Sequence, residues 1–263
     1  MCYSAEARYR EKLKIALQRG DILLAEEIQR KLDEIQIEKN GQPLFFADGF
    51  SHPKLLTFTD TDPMRPQMFS WGLIPSWAKD WNSANIGRKK TLNAKLETMF
   101  DKPSFKHSAE KKRCLVYVDG FYDYHSANGK KYPFHISMKD GSPLIFAGLW
   151  SEWVNKQTGE VHNSVAVVTT EPTPGSLMAR IHNEPAASET PRMPVILPKE
   201  RQEEWLVKID AKNEADIKHL MSFKEPFDND LLSAHTVRQL KGKAGVGNSE
   251  EAIKEFIYED LIF

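Results

Sequence analysis

A cysteine directly after the initiator methionine, Cys2, becomes on loss of Met1 a residue carrying a free α-amine and a thiol on adjacent carbons, a 1,2-aminothiol. In unstructured peptides such an amine titrates at about 7.7 to 8.0 and a thiol at about 8.5, so both have nucleophilic fractions near neutrality. An aldehyde meeting the pair forms an imine with the amine. The neighbouring sulfur can then close a five-membered thiazolidine, which resists hydrolysis far better than an imine. Cys114 is the other cysteine; two are too few for a disulfide framework, and both are expected to be reduced thiols. Eight histidines are spread without ligand spacing, and His-Glu-x-x-His, Cys-x-x-Cys and Gly-x-Ser-x-Gly are absent, so no metal and no cofactor is expected.

Such a nucleophile needs a scaffold, and 263 residues with 40% hydrophobic and 28% charged composition can bury a core. No apolar run of about eighteen residues exists, and Met1-Cys2 leads straight into charged residues, so the expectation is a cytoplasmic protein with no membrane contact. The net charge of −1 does not announce a nucleic-acid binder. Charge is uneven, however: Trp71 to Arg113 holds ten Lys or Arg (Lys79, Arg88, Lys89, Lys90, Lys95, Lys102, Lys106, Lys111, Lys112, Arg113) against four acids. That stretch is either a solvated face or a phosphate track.

The pattern from Ala5 to about Ile37 predicts a helical hairpin broken at Gly20-Asp21, with Asp21 capping the second helix. After Asn40-Gly41-Gln42-Pro43 short apolar runs predict strands at 113–118, 132–137, 144–149, 164–170 and 193–197. Helical signals return at 199–207 and at 214–221, the latter with Asn213 as cap, and a last helix is expected from Ser249. Residues 241–248, Lys-Gly-Lys-Ala-Gly-Val-Gly-Asn, lack the Gly-Lys-Ser/Thr ending of a phosphate loop and read as a linker. Strands scattered among helices without steady alternation argue for an α+β fold.

Several separated segments resemble the SOS-response-associated peptidase family, whose SRAP domains process abasic sites in DNA. They are Met1-Cys2; Trp71-Gly72-Leu73-Ile74-Pro75-Ser76-Trp77-Ala78; Asn93-Ala94-Lys95-Leu96-Glu97-Thr98; Arg113-Cys114-Leu115 with Asp119-Gly120-Phe121-Tyr122-Asp123; Phe146-Ala147-Gly148-Leu149-Trp150; Thr169-Thr170; and Ile181-His182-Asn183 with Arg192-Met193-Pro194-Val195-Ile196-Leu197. In order and spacing they span most of Cys2 to Leu197. The resemblance implies a single SRAP domain over 1–263, a mixed, mostly antiparallel β core flanked by helices, with 5–40 as a hairpin insertion and 198–263 as a C-terminal helical extension.

By the same resemblance Cys2 matches the nucleophile, Asn93 a pocket asparagine that holds the opened sugar, and His182 the general acid/base, a role suited to imidazole. Asp123 stands where the family usually has glutamate, followed by Tyr124 in place of tryptophan, and would orient the N-terminal amine with a reach shorter by one methylene. Ser4 takes the place of a common arginine, and Lys95 replaces the arginine of the Asn-Ala-Arg motif, keeping charge but losing the bidentate fork. Trp71 and Trp77 offer stacking surfaces, and Arg192 joins Lys95 as an expected DNA contact. Residues 184–191 interrupt the family's His-x-Arg-Met-Pro run and could form a lid or a passive surface insertion.

The resulting expectation is a monomer that forms a covalent thiazolidine crosslink with abasic sites in single-stranded DNA through Cys2, with associated autopeptidase and lyase activity. Two other readings stand beside it: a cysteine peptidase with Cys2 as N-terminal nucleophile, and a noncovalent single-strand binding module with salt-sensitive affinity.

Overall fold

The computed structural model describes residues 3–7, 44–184 and 190–263, together with isolated positions between 20 and 30. Met1, Cys2, most of the expected hairpin with its Asp21 cap, and residues 185–189 lie outside the described residues. Of the hairpin's second arm, Ile22, Leu23, Ala25, Glu26, Gln29 and Arg30 are helical.

The first strand, β1 (Ser4–Ala7), corrects the expectation that helix begins at Ala5. Ala and Glu favour helix, but all four residues of β1 are buried and the strand is paired on both sides, so tertiary placement overrides local propensity. Then come β2 (Leu44–Asp48), β3 (Lys54–Thr59), β4 (Asp62–Trp71), helix α1 (Trp81–Arg88), β5 (Asn93–Lys95) and helix α2 (Lys106–Lys111). They lead into β6 (Arg113–Val118), β7 (Gly120–Ala127), β8 (Lys130–Met138), β9 (Leu144–Val154) and β10 (Val161–Thr170). Short helix α3 (Leu177–Ile181), β11 (Met193–Pro194), helices α4 (Gln202–Leu206) and α5 (Glu214–Met221), and β12 (Leu232–Thr236) complete the chain.

The strands form two sheets. In the larger, β10-β4-β3-β6-β9 are neighbours in that order and β9 pairs again with β10, closing the sheet on itself; β5 and β11 attach to the far end of β10. The smaller sheet, β12-β8-β7-β1-β2, is antiparallel throughout. Asp119 alone separates β6 from β7, so the chain crosses between sheets in one residue, and its N–H donates to the Glu6 carbonyl at 2.8 Å. Phe121 of β7 meets Phe146 of β9 edge-on with ring centroids 5.5 Å apart, which joins the sheets through the core. The architecture is α+β with a mixed, mostly antiparallel core.

The C-terminal region is an integral part of this core. Trp205 of α4 is fully buried and donates its indole N–H to the carbonyls of Cys114 and Gly148. Burying so large a side chain contributes about 1.5–3 kcal/mol. Asn213 caps α5 as expected, its side chain accepting from the Ala215 N–H. The helix expected from Ser249 is instead a single 3-10 turn, Glu250–Ala252. Beyond it the chain is drawn onto β12: the Phe256 N–H donates to the Thr236 carbonyl, and Thr236 Oγ1 donates to the Phe256 carbonyl. A strand with open backbone groups offers the segment after Ala252 more hydrogen bonds than an isolated short helix would keep. Residues 241–248 are likewise no linker: Val246 and Gly247 donate to Gln239 and Leu240, and Asn248 Oδ1 accepts from the Phe46 N–H. Among the described residues no helix is long and apolar enough to cross a membrane.

Candidate functional site

Antiparallel pairing of β1 with β7 sets Ser4 opposite Tyr122, one residue before Asp123. Asp123 is buried, and both its carboxylate oxygens lie 2.9 Å from His182 Nδ1. The Tyr124 N–H also donates to Asp123 Oδ1 at 2.9 Å. The carboxylate thus orients the imidazole through Nδ1. The Tyr124 phenol, where the family has tryptophan, is pushed up to about 12 by burial and then by the Asp123 carboxylate, so it stays neutral beside the pair.

His182 sits immediately after α3, a helix of one turn whose Ser176 cap accepts from the Ala179 N–H. So short a helix cannot fix a side chain alone. Two ties to β7 do so. Asn183 Oδ1 accepts from the Ser126 N–H and Asn183 Nδ2 donates to the Ser126 carbonyl, each at 2.8 Å, while His125 Nδ1 donates to the Arg180 carbonyl at 2.7 Å. Asn183 was in the sequence motif only as a neighbour of His182; its clamp is visible once β7 and α3 are side by side.

A second cluster lies in a cleft of about 580 Å³ lined by Tyr3, Trp77, Asn93 and Lys95, with Lys89, Lys90 and Lys102 on its walls and no carboxylate among its lining residues. Asn93 and Lys95 are held on β5 by parallel pairing with Val167 and Thr169 of β10. Trp77 is 62% exposed and is fastened through its indole N–H to the Pro103 carbonyl, so one large aromatic surface faces outward. The basic run seen in the sequence therefore divides: four of its lysines line the cleft, whereas Arg88 and Arg113 are buried. Tyr3 connects the clusters, since it lines the cleft while the next residue pairs beside Asp123.

Two expected DNA contacts are corrected. Trp71 has no exposed surface; its indole donates to the Leu92 carbonyl at 2.8 Å, which anchors the segment leading to Asn93 rather than offering a face for stacking. Arg192 is 2% exposed and donates to Glu97 Oε2 at 2.7 Å and to the Thr169 carbonyl at 2.6 Å, so its charge ties β11 to β10 and to the turn after β5. Burial pushes the Glu97 carboxyl up, but hydrogen bonds from Arg192, its own backbone and Thr170 outweigh this and hold it below the ordinary value. Cys2 lies outside the described residues, as does most of the 184–191 insertion; at its end Thr190 donates to Glu171 at 2.9 Å. Among the described residues no group of three His, Cys, Asp or Glu could hold a metal ion. Cys114 is fully buried, and burial pushes its thiol well up, which leaves it inert.

The family model described as SOS response associated peptidase (SRAP) matches residues 14–244. Among known proteins, the abasic site processing protein YoqW of Bacillus subtilis is 35% identical over 234 residues, covering 85% of this chain and 95% of the relative. YobE of the same organism, also named an abasic site processing protein, is 32% identical over 231 residues, 84% of this chain and 94% of its own. A solved structure of a protein from Bacteroides thetaiotaomicron superposes with a TM-score of 0.74 at 28% identity, covering 97% of this chain and all of that one.

Proposed function

The chain belongs to the SOS response associated peptidase (SRAP) family, and on that premise we propose that it processes abasic sites by bonding Cys2, freed of Met1, to the ring-opened sugar in single-stranded DNA. The observation that carries this reading is the Asp123–His182 pair at 2.9 Å on the strand that flanks the N-terminal segment. Ser4, two residues after Cys2 in the chain, pairs with Tyr122, the neighbour of Asp123.

The α-amine adds to the aldehyde carbon, whose oxygen takes up a proton. His182 delivers a proton to the resulting hydroxyl, water leaves, and an imine remains. The Cys2 sulfur then adds to the imine carbon, the thiol proton ending on nitrogen. The balance is aldehyde plus aminothiol giving thiazolidine plus water. Asp123 holds the His182 ring through Nδ1 and so orients it for proton transfer. Asn93 holds the opened sugar through its amide, Lys95 and the cleft lysines neutralise phosphates, and Trp77 stacks on an exposed base.

The test is incubation of the purified protein with a single-stranded oligonucleotide carrying one abasic site, followed by denaturing electrophoresis. A shifted, denaturation-resistant band is expected for wild type and not for Cys2→Ala. If neither protein gives one, the reading fails; if peptides are cleaved instead in a Cys2-dependent way, the peptidase reading replaces it.

A further inference from the structure

One of the two ties that hold α3 on β7, the 2.7 Å bond from His125 Nδ1 to the Arg180 carbonyl, is exposed to solvent. An exposed bond competes with water and adds little by itself. The last residue of the sequence closes on both of its partners. The Phe263 ring centre lies 4.4 Å from the Arg180 guanidinium carbon, 5.2 Å from the His125 ring, which meets it edge-on, and 4.6 Å from the ring of Phe134 on β8. A cation over the face of a ring and an edge-on aromatic neighbour are both attractive arrangements. The same two residues whose bond fixes α3 therefore grip one aromatic side chain that belongs to neither α3 nor β7.

The segment that brings Phe263 there is itself fastened. End segments fray unless they are tied down. Beyond the backbone pairing of Phe256 with Thr236, the Tyr258 hydroxyl donates to the Val237 carbonyl at 2.8 Å, and its ring stands edge-on to Tyr132 of β8 with centres 5.0 Å apart. Asp260 then accepts from Lys130 Nζ at 2.6 Å and from the Tyr132 hydroxyl at 3.1 Å, while its carbonyl accepts from Asn128 Nδ2 at 3.4 Å. Leu261 packs against the core, whereas Ile262 is 97% exposed and touches nothing that the hold depends on. The chain thus runs from β12 past the β7–β8 turn to α3. The family model ends at residue 244, so this stretch lies beyond the part that the family match covers.

We propose that residues 256–263 form a strap and that Phe263 is a positioning residue: by holding Arg180 and His125 together it keeps His182, two residues after Arg180, against Asp123. The chemical consequence rests on the crosslinking reading above; the hold on α3 does not.

The hold is read first, by hydrogen exchange without DNA, at two amides that depend on α3 lying in place: His182, which donates to the Met178 carbonyl, and Ser126, which donates to Asn183 Oδ1. Phe263→Ala is expected to speed exchange at both about fivefold, the worth of one exposed cation–ring contact. Phe263→Tyr keeps the ring and should keep the wild-type rates, and Ile262→Ala should alter neither. Crosslinking to an abasic oligonucleotide is then followed in a single turnover. The maximal rate should fall about fivefold in Phe263→Ala and return in Phe263→Tyr, with the DNA concentration at half-maximal rate unchanged. A wild type that forms no crosslink would remove the reaction and leave the strap to be decided by exchange alone. Unchanged exchange in Phe263→Ala would overturn the strap. Faster exchange with an undiminished maximal rate, or an effect confined to the half-maximal concentration, would overturn the positioning of His182 and make Phe263 merely structural.

Discussion

Two carboxylate–imidazole pairs have their carboxylates on the same small sheet, and they differ in what surrounds them. Glu6 Oε2 and His135 Nε2 are 2.8 Å apart with side chains 1% and 6% exposed, whereas Asp123 and His182 meet at 2.9 Å with side chains 4% and 14% exposed. The first pair joins β1 to β8 across β7 and is enclosed by the rings of Tyr122 and His235, with His135 Nδ1 buried and without a partner. The second places its imidazole on a loop beyond a one-turn helix and leaves part of the ring accessible. Both pairs tie elements together, the sealed one β1 to β8 and the more open one β7 to the segment after α3. On the function proposed above, access to the ring is what fits His182 rather than His135 for proton transfer.

The sharpest way to break this contrast is to delete each imidazole. His182→Ala should slow crosslink formation by about 10²–10⁴-fold, the usual contribution of a positioned acid/base, and also lower the urea midpoint, because it takes the imidazole from the buried Asp123 carboxylate. His135→Ala should cost about 3–5 kcal/mol by taking the imidazole from buried Glu6, with little change in crosslinking rate once the protein is folded. An equal loss of crosslinking rate in both variants would erase the distinction.

Next in size is Gly120→Ala. A methyl group there would lie 2.4 Å from His135 Nε2 and 3.0 Å from Glu6 Oε2. The sealed pair cannot retreat, so a loss of about 1–3 kcal/mol is expected from chemical denaturation. A neutral result would mean that the Glu6–His135 enclosure is loose and the two pairs are alike. Asn183→Ala tests the other side: it removes two 2.8 Å bonds to Ser126, costing about 1–3 kcal/mol in stability. The crosslinking rate should fall with it, and Asn183→Asp, which retains only the acceptor, should recover part of the loss.

How much of this was legible beforehand depends on whether a signal is local. The limits of β6 at Arg113 and Val118 are legible, because the apolar run is too short for a helix and carries Val116, Tyr117 and Val118, which favour strand. β4 went unseen because Pro63 and Pro66 break the strand pattern; the structure tolerates them where β4 pairs with β3 only, and the second neighbour, β10, joins at Ser70 and Trp71. The motif residues Asn93, Asp123 and His182 were found through resemblance, but the sealed Glu6–His135 pair, 129 positions apart, had no sequence signal. Trp71 and Trp77 show the limit most plainly. Six residues apart in one motif, one is core and the other surface, and that depends on which carbonyl each indole finds, Leu92 or Pro103.

The smallest expected effect concerns a third pair, Arg192 with Glu97. Arg192 is buried but its partner Glu97 is 38% exposed, so water screens the attraction and the stabilisation is well below that of a sealed pair. Because the folded Glu97 carboxyl titrates below its unfolded value, its contribution is present above the unfolded value of about 4.3 and is lost as pH falls through the folded one. Wild type should therefore lose stability on acidification from neutrality to about pH 3 by slightly more than Glu97→Gln does, a difference of roughly 1 kcal/mol or less. Identical acid limbs for the two proteins would mean that Arg192 is held by the Thr169 carbonyl alone. A difference as large as that of His135→Ala would mean that partial exposure does not weaken a pair in this fold, and the contrast between Glu6–His135 and Asp123–His182 would then need a cause other than access to water.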